Sequence, residues 1–170
     1  MDATTLKYGV ACVAVLAFTG WNRGVSLRAF QFAGLLAITY VLTNLLALNF
    51  YYPEALAPFP IIDATAGVIV AISTWKAPKI WEVLLSGTFL TLCARHAIFW
   101  WGQTHGEGYE TVNPYIDNLS MIFSVQLALV CIPGGVRVVG KLHSVCASGL
   151  MRLLRRPVRS SVVRHKGSPQ

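Results

Sequence analysis

The chain has 170 residues, 55% hydrophobic and only 12% charged, against about 25% charged in an ordinary soluble domain, and its mean hydropathy is +0.56. That leaves too little polar surface to cover a water-soluble core and points to a protein whose solvent is lipid. The formal charge of +7 is unevenly placed: Arg137, Lys141, Arg152, Arg155, Arg156, Arg159, Arg164 and Lys166 follow Pro133 with no acidic residue among them, and the rest of the chain sums to minus one.

A helix needs about 20 mostly apolar residues to cross a hydrocarbon layer of ~30 Å, and five stretches meet or approach this. The first, 6–21, is short and requires Lys7 to snorkel to the surface. Asp2 in the leader and the lack of an A-x-A site argue for a retained span, not a cleaved signal peptide. The second, 29–52, is uncharged. The third ends at Trp75 and, if it begins near Ala55, contains Pro58, Pro60 and Asp63. The fourth, 80–101, contains Glu82, Arg95 and His96, and the fifth runs over 116–136.

The loops alternate in charge. Arg23 and Arg28 lie between the first two stretches and Lys76 and Lys79 between the third and fourth, whereas the other loops carry Glu54, or Glu107, Glu110 and Asp117. Retention of basic loops in the cytoplasm then predicts an all-α polytopic bundle of five crossings, N-terminus out and C-terminus in. A four-span variant with an interfacial first segment leaves the C-terminus on the same side. Trp21, Trp75, Trp81, Trp100 and Trp101 all fall at predicted span ends, where the amphipathic indole suits the headgroup boundary.

Beyond the bundle, at 1–136, the pattern changes. From Arg137 onward, Arg137, Lys141, Ser144, Ser148, Arg152, Arg155 and Arg159 recur at three- and four-residue steps on one helical face, and Val139, Leu142, Cys146, Leu150 and Leu153 on another, over a helix expected at 137–157. This predicts a basic amphipathic helix on the cytoplasmic leaflet, with Arg137, Lys141, Arg152, Arg155, Arg156 and Arg159 among anionic headgroups. Pro157 is expected to end it, and 158–170 to be a disordered basic tail. Nucleic acid is the weaker partner, because the tail lacks interleaved aromatics and follows a span directly.

Ionisable residues inside spans are the anomalies. Counted from Trp101, Arg95 lies about 9 Å below the outer interface, and Asp63, counted from Trp75, about 12 Å below it. Each alone would cost about 2.5 to 3.5 kcal/mol. The expectation is that Asp63 and Arg95 meet inside the bundle, fixing helix register or serving an ion or proton path; alternatively Asp63 caps a helix starting after Pro60 while Arg95 snorkels. His96 completes this polar cluster, either hydrogen-bonding across helices or joining His105 and Glu107 as weak metal-ligand candidates. A bis-histidine haem is disfavoured, since His96 is the only histidine inside a span, and no cofactor is expected. Asn44, Asn49, Asn118 and Gln126 read as interhelical hydrogen-bonding groups. Cys12, Cys93, Cys131 and Cys146 have no metal or CxxC spacing and read as small hydrophobes. Ser86, Ser120 and Ser124 lack a GxSxG setting, so no catalytic residue is assigned and an enzyme is not expected.

YYPEALAPFPIIDAT at 51–65, ARHAIFWWG at 94–102 and the later NLSMIFSVQLALV resemble small uncharacterised polytopic membrane proteins of bacterial phages and prophages. The resemblance covers about half the chain and rests on a Pro-Phe-Pro entry to an Asp-bearing helix and on a His-aromatic pattern. It implies a setting, the bacterial inner membrane, and no activity. Two function classes follow: a non-enzymatic accessory protein, with self-association or another membrane protein as partner, or a permeability protein. The latter is a holin-like pore-former or a small ion or solute transporter using Asp63, Arg95 and His96.

Overall fold

The computed structural model describes residues 3–49, 56–105 and 112–154. Among them the chain forms five α-helices and no strand: α1 Ala3–Trp21, α2 Leu27–Asn49, α3 Phe59–Thr74, α4 Ile80–His105 and α5 Val112–Leu154. Three segments are long and apolar enough to cross a membrane, Leu27–Leu46, Ile80–His105 and Pro114–Val145; the apolar parts of α1 and α3, Leu6–Trp21 and Phe59–Thr74, are shorter.

Local chemistry sets the boundaries. Ser26 caps α2, its hydroxyl oxygen accepting the Ala29 N–H at 3.1 Å, which satisfies one orphan donor of the first turn. α3 begins at Phe59, not near Ala55, because Pro58 stands at its N-cap and Pro60 in the first turn, where a missing N–H is harmless. Asp63 is therefore four residues inside the helix and does not cap it. α5 continues through Pro133 to Leu154 as one helix, where the sequence predicts a span ending at 136 and a separate surface helix. Nothing between 134 and 154 breaks a helix as strongly as Pro133, which itself removes only one ladder bond.

The chain divides into two units, 1–136 and 137–170. In the second, residues 137–145 are exposed, Arg137 and Lys141 included, and the side chain of Arg152 lies outside the described set. The expected contacts of Arg155, Arg156 and Arg159 and the tail at 158–170 also lie outside the described residues.

In the first unit every helix turns one stripe inward. Buried positions on α2 are Ala29, Phe32, Ala33 and Leu36, and on α4 Trp81, Leu85, Phe89 and Leu92, the three- and four-residue spacing of one helical face. Cys12 of α1, Ala66 and Val70 of α3, and Ile122, Leu127 and Val130 of α5 complete this core. The opposite faces are apolar as well, with Val13, Ile72, Leu90 and Ile98 exposed. A bundle apolar both inside and outside is what a lipid solvent selects.

Contacts fix the relative directions of the helices. Tyr8 meets Phe123 edge-on at 6.1 Å, and near the other end of α1 a Cβ on Gly134 would sit 2.7 Å from the Phe18 ring, so α1 and α5 run parallel. Phe32 packs on Trp81 at 6.0 Å, pairing the starts of α2 and α4. The start of α3, the end of α4 and the start of α5 meet around Leu56, Phe59, Phe99 and Tyr115. The helices therefore run alternately up and down. Asp63 lies at one end of the bundle and Glu82 at the other.

Candidate functional site

Two clusters of buried polar side chains close the two ends of the bundle. At the Asp63 end, His96 of α4 is 2% exposed and bonds through Nε2 to Asp63 Oδ2 of α3 at 2.9 Å, Asp63 itself being 15% exposed. The other ring nitrogen, Nδ1, is 2.5 Å from the Tyr115 hydroxyl of α5. A neutral imidazole satisfies both contacts, with Nε2–H donating to the carboxylate and the phenol O–H donating to Nδ1. Tyr115 is fully buried and stacks on Phe99 with ring centroids 3.9 Å apart and planes at 15°. One histidine thus joins three helices, and an aromatic layer shields it.

Asp63, expected beside Arg95, is bonded by the neighbouring residue His96. Successive helical residues point about 100° apart: His96 falls on the inward seam of α4 with Leu92 and Phe99, and Arg95 lies one step round the helix, half-buried. Tyr115 is the member that sequence reasoning missed. A tyrosine beside a span start reads as an interfacial anchor, and no short-range signal links it to a histidine 19 residues earlier.

At the opposite end, Glu82 of α4 has a fully buried side chain and pairs with Arg28 of α2, whose side chain is 40% exposed. Arg28 Nη1 donates to Glu82 Oε2 and to the Ala77 carbonyl, each at 3.3 Å. Glu82 Oε2 also accepts the Lys79 backbone N–H at 2.8 Å, the reach-back of a glutamate at the third helical position. Here the spacing Lys79-x-x-Glu82 was the available signal for the cap; the Arg28 contact, 54 residues away, was not readable.

Several other expectations change in detail. Trp21 and Trp75 are 88% and 84% exposed, and Trp101 is exposed too, but Trp81 is buried in the core against Phe32 because it shares a face with Leu85 and Phe89. The amides of Asn44 and Asn118 bond to the carbonyls of Tyr40 and Pro114 in their own helices, each at 2.8 Å. Gln126 is buried, with no hydrogen-bond partner for Nε2 among the described residues, and the side chain of Asn49 lies outside them. Cys12 is buried, Cys93 and Cys131 are half-buried, and all three are free thiols; the Cys146 side chain is not among those described.

Of the weak metal-ligand candidates, His105 stacks on Trp101 at 4.0 Å, with Nδ1 3.0 Å from the Trp101 carbonyl, and Glu107 lies outside the described residues. No group of three His, Cys, Asp or Glu side chains fit to hold a metal occurs among the described residues. Between the two clusters the inward seam of α4 itself is apolar, formed by Leu85, Phe89 and Leu92 over the ~21 Å that separates residues 82 and 96.

No protein-family model, curated protein or solved structure matches the chain.

Proposed function

We propose that the chain is a multi-pass protein of the bacterial inner membrane, of phage or prophage origin, acting as a non-enzymatic accessory component. In this reading all five helices cross, the N-terminus is outside, and the Glu82 end faces the cytoplasm with Arg23, Arg28, Lys76 and Lys79. Its partners are anionic lipids and a second copy or another membrane protein. The phage setting rests on the resemblance of residues 51–65 and 94–102.

The observation that carries the reading is the layout of α4, where a polar cluster at each end is separated by the apolar seam Leu85, Phe89 and Leu92. Glu82 and His96 each bond to neighbouring helices, as groups that set the register of a bundle do. Exposed hydroxyls support lipid as the solvent: Thr65 and Thr91 donate to carbonyls of their own helices, Ile61 at 2.7 Å and Gly87 at 3.0 Å, leaving no donor for hydrocarbon to strand.

A permeability role is the second reading, favoured by the acid–base character of the Asp63, His96 and Tyr115 chain. It requires a path around the apolar seam, along an interface between copies. Induced expression in bacteria carrying a potential-sensitive dye separates the two. The accessory reading expects an unchanged membrane potential at high protein levels. A collapse of potential on induction, abolished by Asp63→Asn at unchanged abundance, would overturn it in favour of ion passage.

A further inference from the structure

The Glu82 cluster has a feature that register alone does not require. Arg28 is anchored from within, one terminal nitrogen held by the buried Glu82 carboxylate and the Ala77 carbonyl, yet two-fifths of its side chain remains exposed. The carbonyl that anchors it belongs to the turn between α3 and α4, whose Lys76 and Lys79 are both exposed. Three cations therefore converge on one turn. The carboxylate beside them is fully buried and already engaged by Arg28 and the Lys79 N–H. At the same end lie Trp21 and Trp75, 88% and 84% exposed, the side chains that favour the headgroup boundary.

We propose that this turn is a binding site for the phosphate of an anionic phospholipid. Arg28 supplies an oriented guanidinium fork, suited to phosphate oxygens and held by Glu82 as its positioning residue. Lys76 and Lys79 add two mobile point charges, and the flanking indoles lie beside the acyl chains. The site uses none of the basic residues beyond Pro133. It rests on the membrane reading above and adds a defined lipid contact to it.

The test uses full-length protein in a neutral detergent with Arg23, Arg137, Lys141, Arg152, Arg155, Arg156, Arg159, Arg164 and Lys166 changed to Gln, which removes the other cations of that end and of the C-terminal segment. Phosphatidylglycerol, phosphatidylcholine or inorganic phosphate is titrated in, and the melting temperature and bound lipid are read. The expected result is a melting temperature raised by phosphatidylglycerol alone. Adding Lys76→Gln and Lys79→Gln, both at exposed positions, should lower apparent affinity roughly 30-fold, at about a tenfold loss per 1.4 kcal/mol and about 1 kcal/mol for each cation near an anionic surface.

Equal affinity in the lysine variants, or no response once those other cations are neutral, would overturn the lipid site. An equal response to inorganic phosphate would overturn lipid as the source of the anion. Material that stays dispersed without any detergent would overturn the membrane reading itself, an outcome distinct from the other two.

Discussion

His96 shows how much one buried side chain can organise. Its ring is planar with two nitrogens on opposite edges, so it can reach α3 on one side and α5 on the other while standing on α4. Both contacts lie where an unmade hydrogen bond has no solvent to fall back on, which makes them more consequential than the same bonds at a wet surface. Tyr115→Phe keeps the stack on Phe99 and removes only the hydroxyl; it should cost about 1 kcal/mol. Asp63→Asn keeps the shape and an acceptor for Nε2–H, and should cost a similar amount. Because the imidazole couples the two bonds, the double variant should depart from the sum of the single ones by ~0.5 kcal/mol or more. Denaturation of the detergent-solubilised protein measures this, and strict additivity would mean that the bonds are independent.

Among the helices, close approach depends on missing side chains. A Cβ on Gly67 of α3 would lie 2.9 Å from the Phe89 Cβ of α4, and one on Gly134 would meet Phe18 of α1, whereas Gly87 has open space around it. Gly67→Ala should therefore destabilise by about 1 to 3 kcal/mol through overpacking. Gly87→Ala should be neutral or stabilising by up to ~1 kcal/mol. Melting curves of the two alanine variants in one detergent should move in opposite directions.

The existence of each helix was legible because apolar run length and the turn residues at 22–26 and 75–79 act locally. Partners were not. The pairing of Arg28 with Glu82 and of His96 with Tyr115 depends on which stripe of each helix turns inward, and an apolar run flanked by lipid hides that stripe because both faces are hydrophobic. For the same reason the continuity of α5 was not legible: the pattern changes from apolar to amphipathic at 137, where the chain also divides into two units, without a break in the helix.

At the scale of the molecule, the alternating directions of the helices put Arg23, Arg28, Lys76 and Lys79 at one end. Single cysteines introduced at Gly24 and Ala77, in a background with Cys12, Cys93, Cys131 and Cys146 changed to Ser, should react with an impermeant maleimide from the same side of the membrane. A cysteine at Gln103 should react from the other side. Labelling of positions 24 and 77 from opposite sides would break the five-crossing arrangement while leaving the helices themselves intact. In the five-crossing arrangement proposed above, α1 crosses beside α5, the two meeting near Tyr8 and again near Phe18.

The sixteen residues of α3 extend only ~24 Å, several ångströms less than a typical hydrocarbon layer of ~30 Å, while α4 beside it has 26 residues. In the bilayer proposed above, lipid must thin where it borders α3 and recover its full depth elsewhere around the circumference. The protein would then carry a lopsided collar of compressed acyl chains, drawing it toward thinner regions and toward neighbours that share the same pinch.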